Sequence, residues 1–324
     1  MNVSPQGAVE LVAIVNSFNR RALLERAIRS LFAALREGRI GSAVVVFEAG
    51  SNDGSREFLE TWQRENPGDP LLVIAPQGAK SSFSDGVNSA CATALEKFSA
   101  CRWLFLYETD NALHHAAPLT SAISLLAQES QLAAAGFTVA LENGERVGYG
   151  MRFPGALSLA LGQNISYWLN LHRPNSSPWR DTGGVRWREC DVVFTSPLLI
   201  RREAWEQSGG FDAEAFPFSD SDLDWAWRCA KLGWKMAVIE GDGVVHDNFT
   251  QMSAWSTGRV LDFHRSRMRL LRRYRGATVA LIKPLLFARH ALELLLLRAR
   301  RDPSAAAKIE RRRQLLGTVW SDYE

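Results

Sequence analysis

The sequence predicts an α/β fold: an open, mostly parallel sheet flanked by helices, with a C-terminal helical extension. Three observations carry this. A unit of apolar run, polar loop and helix-spaced segment recurs three or four times before residue 111. The apolar runs are continuous rather than alternating, as expected for strands covered on both faces. Charge and composition then change together near residue 250.

Glu10-Leu11-Val12-Ala13-Ile14-Val15 forms the first strand and ends in Asn16-Ser17-Phe18-Asn19-Arg20. Leu23, Leu24, Ala27, Ile28, Leu31 and Phe32 then recur at helical spacing. A second strand at 41–47 stops at Glu48-Ala49-Gly50-Ser51-Asn52-Asp53-Gly54-Ser55, and a helix over 56–65 leads to a third strand at 71–75. Ser84-Asp85-Gly86-Val87-Asn88 opens a helix running to about residue 98, and the strand at 103–107 ends in Glu108-Thr109-Asp110-Asn111. Such sheets bind ligands beyond the carboxyl ends of their strands, where most of these polar clusters fall.

Residues 141–185 are rich in Gly, Asn, Arg and Trp and weakly periodic, which predicts a long loop or short strands over a site. Regular signals resume as a strand over 190–200, a helix around Arg202-Glu203-Ala204-Trp205 and a Gly209-Gly210-Phe211-Asp212 turn. Two short strands at 235–239 and 243–246 close the body.

Residues 251–324 hold 16 Lys+Arg against 6 Asp+Glu, a surplus of ten that leaves the first 250 residues at −7. We therefore expect a body over 1–250 and a basic helical extension over 251–324. The first seven residues carry no basic n-region and the apolar stretch 11–15 is short, so a cytoplasmic catalytic body is expected. Cys91, Cys101, Cys190 and Cys229 show no CxxC pairing and read as small core residues.

Several clusters can carry chemistry. Glu108 and Asp110 stand two apart; if the strand continues, both carboxylates face one way and can hold a hard cation that keeps positions for phosphate oxygens. The alternative is a solvated Asx-type turn. Glu48 and Asp53 can accept hydrogen bonds from a base or ribose, or cap the next helix. Arg20 can fork onto a phosphate or lie at the surface. Gly86 and Asn88 can line the same rim, or simply mark a helix start.

The run Ser219-Asp220-Ser221-Asp222-Leu223-Asp224 crowds three acids before an aromatic helix. With Ser221 as N-cap, Ser221 and Asp224 form a weak capping box, and Asp224 pairs with Arg228. Asp222 is then a first-turn acid that either faces the helix dipole or serves as a general base. His246 is either structural or completes a metal site begun by Asp110.

In order and spacing, Val15-Asn16-Ser17-Phe18-Asn19-Arg20, the Glu48 to Ser55 loop, Tyr107-Glu108-Thr109-Asp110-Asn111, Gly209-Gly210-Phe211-Asp212 and Ser221-Asp222-Leu223-Asp224-Trp225, followed by Gly233-Trp234 and His246, resemble family 2 glycosyltransferases of the GT-A fold. The chain resembles bacterial rhamnosyltransferase-like members, and the likeness spans roughly residues 9–250. It implies an inverting transferase that uses a nucleotide-sugar donor and a glycan, lipid-linked or other hydroxyl acceptor. Ser17, Asn19, Arg20, Glu48 and Asp53 map onto the nucleotide loops. Glu108 and Asp110 map onto the motif that binds diphosphate through Mg²⁺ or Mn²⁺, with Asp110 the direct ligand and His246 joining it. Asp222 falls on the base. Glu48, Glu108 and Ser221 depart from the family's aspartate, aspartate and glutamate. A non-catalytic nucleotide-sugar or carbohydrate-binding protein is the competing reading.

In the extension, basic residues alternate with Leu, Met and Phe over 259–275, and the apolar stretch 285–297 is interrupted by Arg289 and Glu293. It either docks on the body or touches an anionic membrane peripherally. No nucleic-acid motif accompanies the charge.

Overall fold

A computed structural model of the chain describes residues 8–76, 82–141, 144–169, 171, 175, 177–193, 196–246, 255–299 and 305–321. Strand β1 (Leu11–Ser17) lies between β2 (Ser42–Glu48) and β4 (Trp103–Leu106), with β3 (Leu71–Ile74) outside β2, all parallel. Successive side chains go to opposite faces. Leu11, Ala13, Val15, Val44 and Val46 enter one core; Val12, Ile14, Val45 and Phe47 enter the other. This is why the runs read as continuously apolar.

The first core is closed by α1 (Arg21–Glu37), α2 (Ser55–Glu65) and α4 (Ala117–Gln128), the second by α3 (Phe83–Lys97), α7 (Arg202–Ser208) and α8 (Ser221–Lys231). Leu24, Ile28, Leu31 and Leu35 form the buried stripe of α1 at three- and four-residue spacing. Helix α3 starts with a capping box between Ser82 and Asp85.

Beyond β4 the sheet continues as β11 (Leu198–Arg201), β6 (Leu132–Phe137), β12 (Lys235–Ile239), β10 (Val185–Cys190) and β9 (Arg180–Thr182), nine strands in all among the described residues. In this half only the β6–β12 pairing is parallel. Of the run expected as one strand over 190–200, the described residues put only Cys190, the last of β10, and 198–200, in β11, in strands. Pro197, with no N–H for a ladder, stands just before β11. A second sheet, ordered β5 (Asn111–Leu113), β13 (Val244–His246), β7 (Val139–Ala140) and β8 (Arg146–Val147), sits beside the end of β4.

The stretch expected as loop or short strands carries two short helices, α5 (Ala156–Leu161) and α6 (Gln163–Trp168). They belong to a separate apolar cluster. Ala156 and Ala160 of α5 pack there with Met268 and Leu271 of α9 (Thr257–Arg275), Val279, Ile282 and Leu286 of α10 (Thr278–Ala299), and Val319 beyond α11 (Ala306–Thr318). No helix among the described residues is long and apolar enough to cross a membrane.

Candidate functional site

Ser17 and Glu48 are register partners at the carboxyl ends of β1 and β2, and the loops that follow are bonded to each other. Asn19 sits in the left-handed region (φ 49°), which asparagine tolerates. Its N–H donates to Ser51 Oγ (2.9 Å), and its side-chain oxygen accepts from the Asn52 N–H (2.9 Å). Asp53 accepts from the Arg21 N–H (2.8 Å) and from Ser55, supplying α1 with an acceptor its own N-cap position lacks. The Ser55 hydroxyl, followed by the Arg21 N–H, holds the Asp53 carboxyl below its ordinary range. Glu48, buried, accepts from the N–H groups of Gly50 and Ser51 (3.1 and 2.8 Å). Behind this loop Glu48, Arg56, Gln63, Val73 and Ala75 line a cavity of about 210 Å³.

Beyond β4 the extended geometry needed for Glu108 and Asp110 to share a face is lost. The Asn111 N–H donates to the Glu108 carbonyl (3.1 Å), closing a turn over 108–111. The turn is braced by Ser196, whose hydroxyl accepts from the Glu108 N–H (3.2 Å) and bonds to the Asn111 amide. This sets Asp110 apart: it is 5% exposed, its Oδ2 accepts from Arg20 (3.2 Å), and its Oδ1 lies 3.5 Å from His246 Nε2. His246 arrives on β13, whose register places it opposite Asn111. Three buried oxygens here have no hydrogen-bond partner: Asp110 Oδ1, Asn111 Oδ1 and Ser17 Oγ. Buried oxygens left unpaired at one strand-end edge mark a place built for something else to bond.

An aspartate oxygen and a nearby imidazole nitrogen are a donor pair that fits a divalent cation. Among the described residues no group of three or more His, Cys, Asp or Glu forms a closed metal site, so a cation held by Asp110 and His246 would keep positions for other oxygens.

Helix α8 reaches this edge through α3. Asn16 at the end of β1 donates to the Phe83 carbonyl (3.0 Å), and Ser84 bonds to the carbonyls of Phe216 and Pro217 just ahead of α8. Gly86 permits the approach of α3: a Cβ there would lie 2.7 Å from the Asn16 amide and 2.8 Å from the Phe47 ring. Asn88 lies one step further from the strand ends. Both ends of its amide bond to the Phe211 backbone (2.8 and 2.9 Å), so its side chain fixes the turn before α8.

The three acids of α8 separate completely. The cap position belongs to Asp220, in the left-handed region (φ 62°), and Ser221 is already helical, so the expected Ser221–Asp224 capping box does not form. Three arginines pull the flanking carboxylates elsewhere. Asp220 takes a two-point bond from Arg267 of α9 (2.9 and 2.9 Å). Asp224, 0% exposed, accepts from Arg228, Arg273 and Tyr274 (2.8 Å each). Asp222 is left half-buried at the first turn, accepting from the Leu223 N–H (2.9 Å). Burial, and after it the Asp220 carboxylate, pushes Asp222 up to about 6 against the pull of Leu223 and Arg267.

Ser196, Arg267, Arg273 and Tyr274 support these groups without having been singled out from the sequence. For the two arginines there was a signal, a basic stretch able to neutralise the acid run. Ser196 had none.

The sequence profile described as Glycosyltransferase like family 2 matches residues 8–276. No curated protein sequence matches the chain. Among solved structures the chain is similar to the mannosyltransferase PcManGT from Pyrobaculum calidifontis in complex with GDP-Man and Mn²⁺, with a TM-score of 0.52 and 16% identity over 97% of this chain and 74% of that one. It is also similar to GalNAc-T7, solved with UDP, GalNAc and Mn²⁺, with a TM-score of 0.56 and 10% identity over 82% of this chain and 48% of that one. At such identities the likeness speaks to the fold, and the chain spans about half the length of GalNAc-T7.

Proposed function

The chain belongs to the glycosyltransferase-like family 2 and is a transferase enzyme, and from that premise we propose that it moves a sugar from a nucleoside-diphosphate donor to an acceptor hydroxyl with inversion, Asp222 acting as general base. The observation that carries the reading is the separation of the acids in α8: Asp220 and Asp224 are bound to arginines, while Asp222 keeps a carboxyl raised to about 6. A base of that strength is ionised at neutral pH yet still attracts a proton.

In the proposed reaction the acceptor oxygen attacks the anomeric carbon from the face opposite the diphosphate. Its proton passes to Asp222 as the new carbon–oxygen bond forms and the bond to the diphosphate oxygen breaks. One displacement inverts the centre and leaves no sugar on the protein. Arg20 would meet phosphate oxygens, and Asp110 and His246 would hold Mg²⁺ or Mn²⁺. When bound, that cation would supply neutralisation of charge on the departing nucleoside diphosphate. Ser17 and Glu48 offer the base and ribose a buried hydroxyl and a carboxylate beside the cavity at β2 and β3. The cross-bonded Asn19 and Asp53 hold the two loops in place for them. Glu108 shapes the turn that presents Asp110. We take residues 1–250 as the transferase body and 251–324 as a helical extension whose first helix also secures α8.

Titration with UDP and with GDP, each with and without Mn²⁺, followed by thermal shift, tests this. At least one nucleotide should stabilise the protein in a Mn²⁺-dependent way, and Asp110→Asn should weaken that binding at least about tenfold. Nucleotide binding that ignores Mn²⁺ and the substitution sinks the metal assignment. No binding by these two, nor by ADP, CDP or dTDP, sinks the donor site.

A further inference from the structure

Helix α10 is apolar on two sides. Val279, Ile282, Leu286 and Leu294 face inward, toward α5, α9 and α11. On the opposite side Leu281, Leu285, Ala288, Leu292, Leu295 and Leu296 follow one another at three-, four- and seven-residue spacing, and all are exposed, Leu281 to 77%. This stripe is about 22 Å long and carries no charge. The helix's charged side chains lie elsewhere. Arg289 turns inward to the carbonyls of Leu159 and Ala160 at the end of α5, Glu293 meets Arg312, and Lys283 reaches the Ser321 carbonyl. Trp168, 83% exposed at the end of α6, and Trp320, exposed beyond α11, add two indoles to the same part of the molecule. An uninterrupted exposed apolar stripe of this length is a docking surface.

Charge decides what docks. Residues 278–321 hold nine Lys+Arg and three Asp+Glu. A second copy of the chain would bring a segment of like net charge against this one, whereas an anionic lipid surface brings the opposite charge and an apolar layer for the leucines. We propose that the outer face of α10 rests on an anionic bilayer, lying in the interface without crossing it. Arg289 and Glu293 in mid-helix suit a helix that lies flat with one face on protein and the other in lipid. Exposed indoles belong at the same headgroup level. This inference is independent of the donor chemistry and of Asp222.

Co-sedimentation of the full chain with vesicles of phosphatidylcholine alone, and of phosphatidylcholine mixed with phosphatidylglycerol, tests it. The chain should bind the mixed vesicles, more weakly as salt is raised, and hardly bind the neutral ones. The combined Leu281→Gln, Leu292→Gln and Leu296→Gln chain should fold with unchanged Tm, since these side chains touch solvent, and should lose binding at least about tenfold. Three results overturn the proposal: failure of the native chain to bind the mixed vesicles, equal binding to both lipids, or binding untouched by the three substitutions. A native dimer converted to monomer by the same substitutions, without vesicle binding, assigns the face to a second copy instead.

Discussion

Replacing Asp222 by asparagine should abolish transfer and at the same time stabilise the protein. The Asp222 carboxyl rises from an ordinary 3.8 to about 6 on folding. At about 1.4 kcal/mol per unit, the folded state holds the ionised carboxylate at a disadvantage of about 3 kcal/mol, a ceiling for a side chain only half-buried. The sign follows from proton binding. Between about pH 4 and pH 6 the folded protein keeps a proton that the unfolded chain releases, so this group's contribution is full below the unfolded value and is lost as pH rises through about 6. Asparagine never ionises and suffers no such loss. Guanidinium unfolding of both chains should therefore give nearly equal stabilities at about pH 4, and an advantage of about 2–3 kcal/mol for Asp222→Asn at about pH 8. Initial transfer rates of the native enzyme should fall on the acid side with a midpoint near 6. An Asp222→Asn chain no more stable than native at the higher pH, or a gap that does not change with pH, would refute the burial argument. Retained transfer would refute the assignment of the base.

Arg267→Gln removes both bonds to the buried Asp220 and the cation that lowers Asp222. It should move the acid limb of the rate profile to higher pH and destabilise the fold by about 3 kcal/mol or more, with Arg267→Lys restoring much of the profile; an unmoved limb argues against the coupling. Arg228→Met takes from the fully buried Asp224 one of its two arginines and from Gly210 a bond of 2.6 Å, and should lower unfolding free energy by about 3–5 kcal/mol, a loss under about 1 showing that Arg273 and Tyr274 suffice.

The first half of the fold was readable because its strands are buried on both faces and its loops end in residues with few alternatives to turning or binding. The second half was harder. Ala133-Ala134-Ala135 in β6 favours helix by intrinsic propensity, and only its place between β11 and β12 makes it a strand. Residues 141–185 hid α5 and α6, each too short to show a period. At the site, strand-end position and the family resemblance brought Asp110 and His246 to attention, and the structure sets them 3.5 Å apart. The strand-alternation argument for Glu108 failed because it assumed that β4 continued where the chain turns. The Asp224–Arg228 pair was legible at its four-residue spacing, but the hold of Arg267 on Asp220 and of Arg273 on Asp224 could not be read from the sequence. These two arginines stand 47 and 49 residues away, and spacing rules reach only neighbours on one element.

The grip of α9 on α8 also sets an order of events during synthesis. Residues 221–231 leave the ribosome well before Arg267 and Arg273, and until those arginines arrive, Asp220 lacks its partner and Asp224 has only Arg228. A nascent chain halted after β13 would hold the loops that follow β1, β2 and β4, together with Asp222 and Arg228, but not the α9 arginines that hold Asp220 and share Asp224. The separation of Asp222 from its two neighbours thus comes late, with the translation of α9.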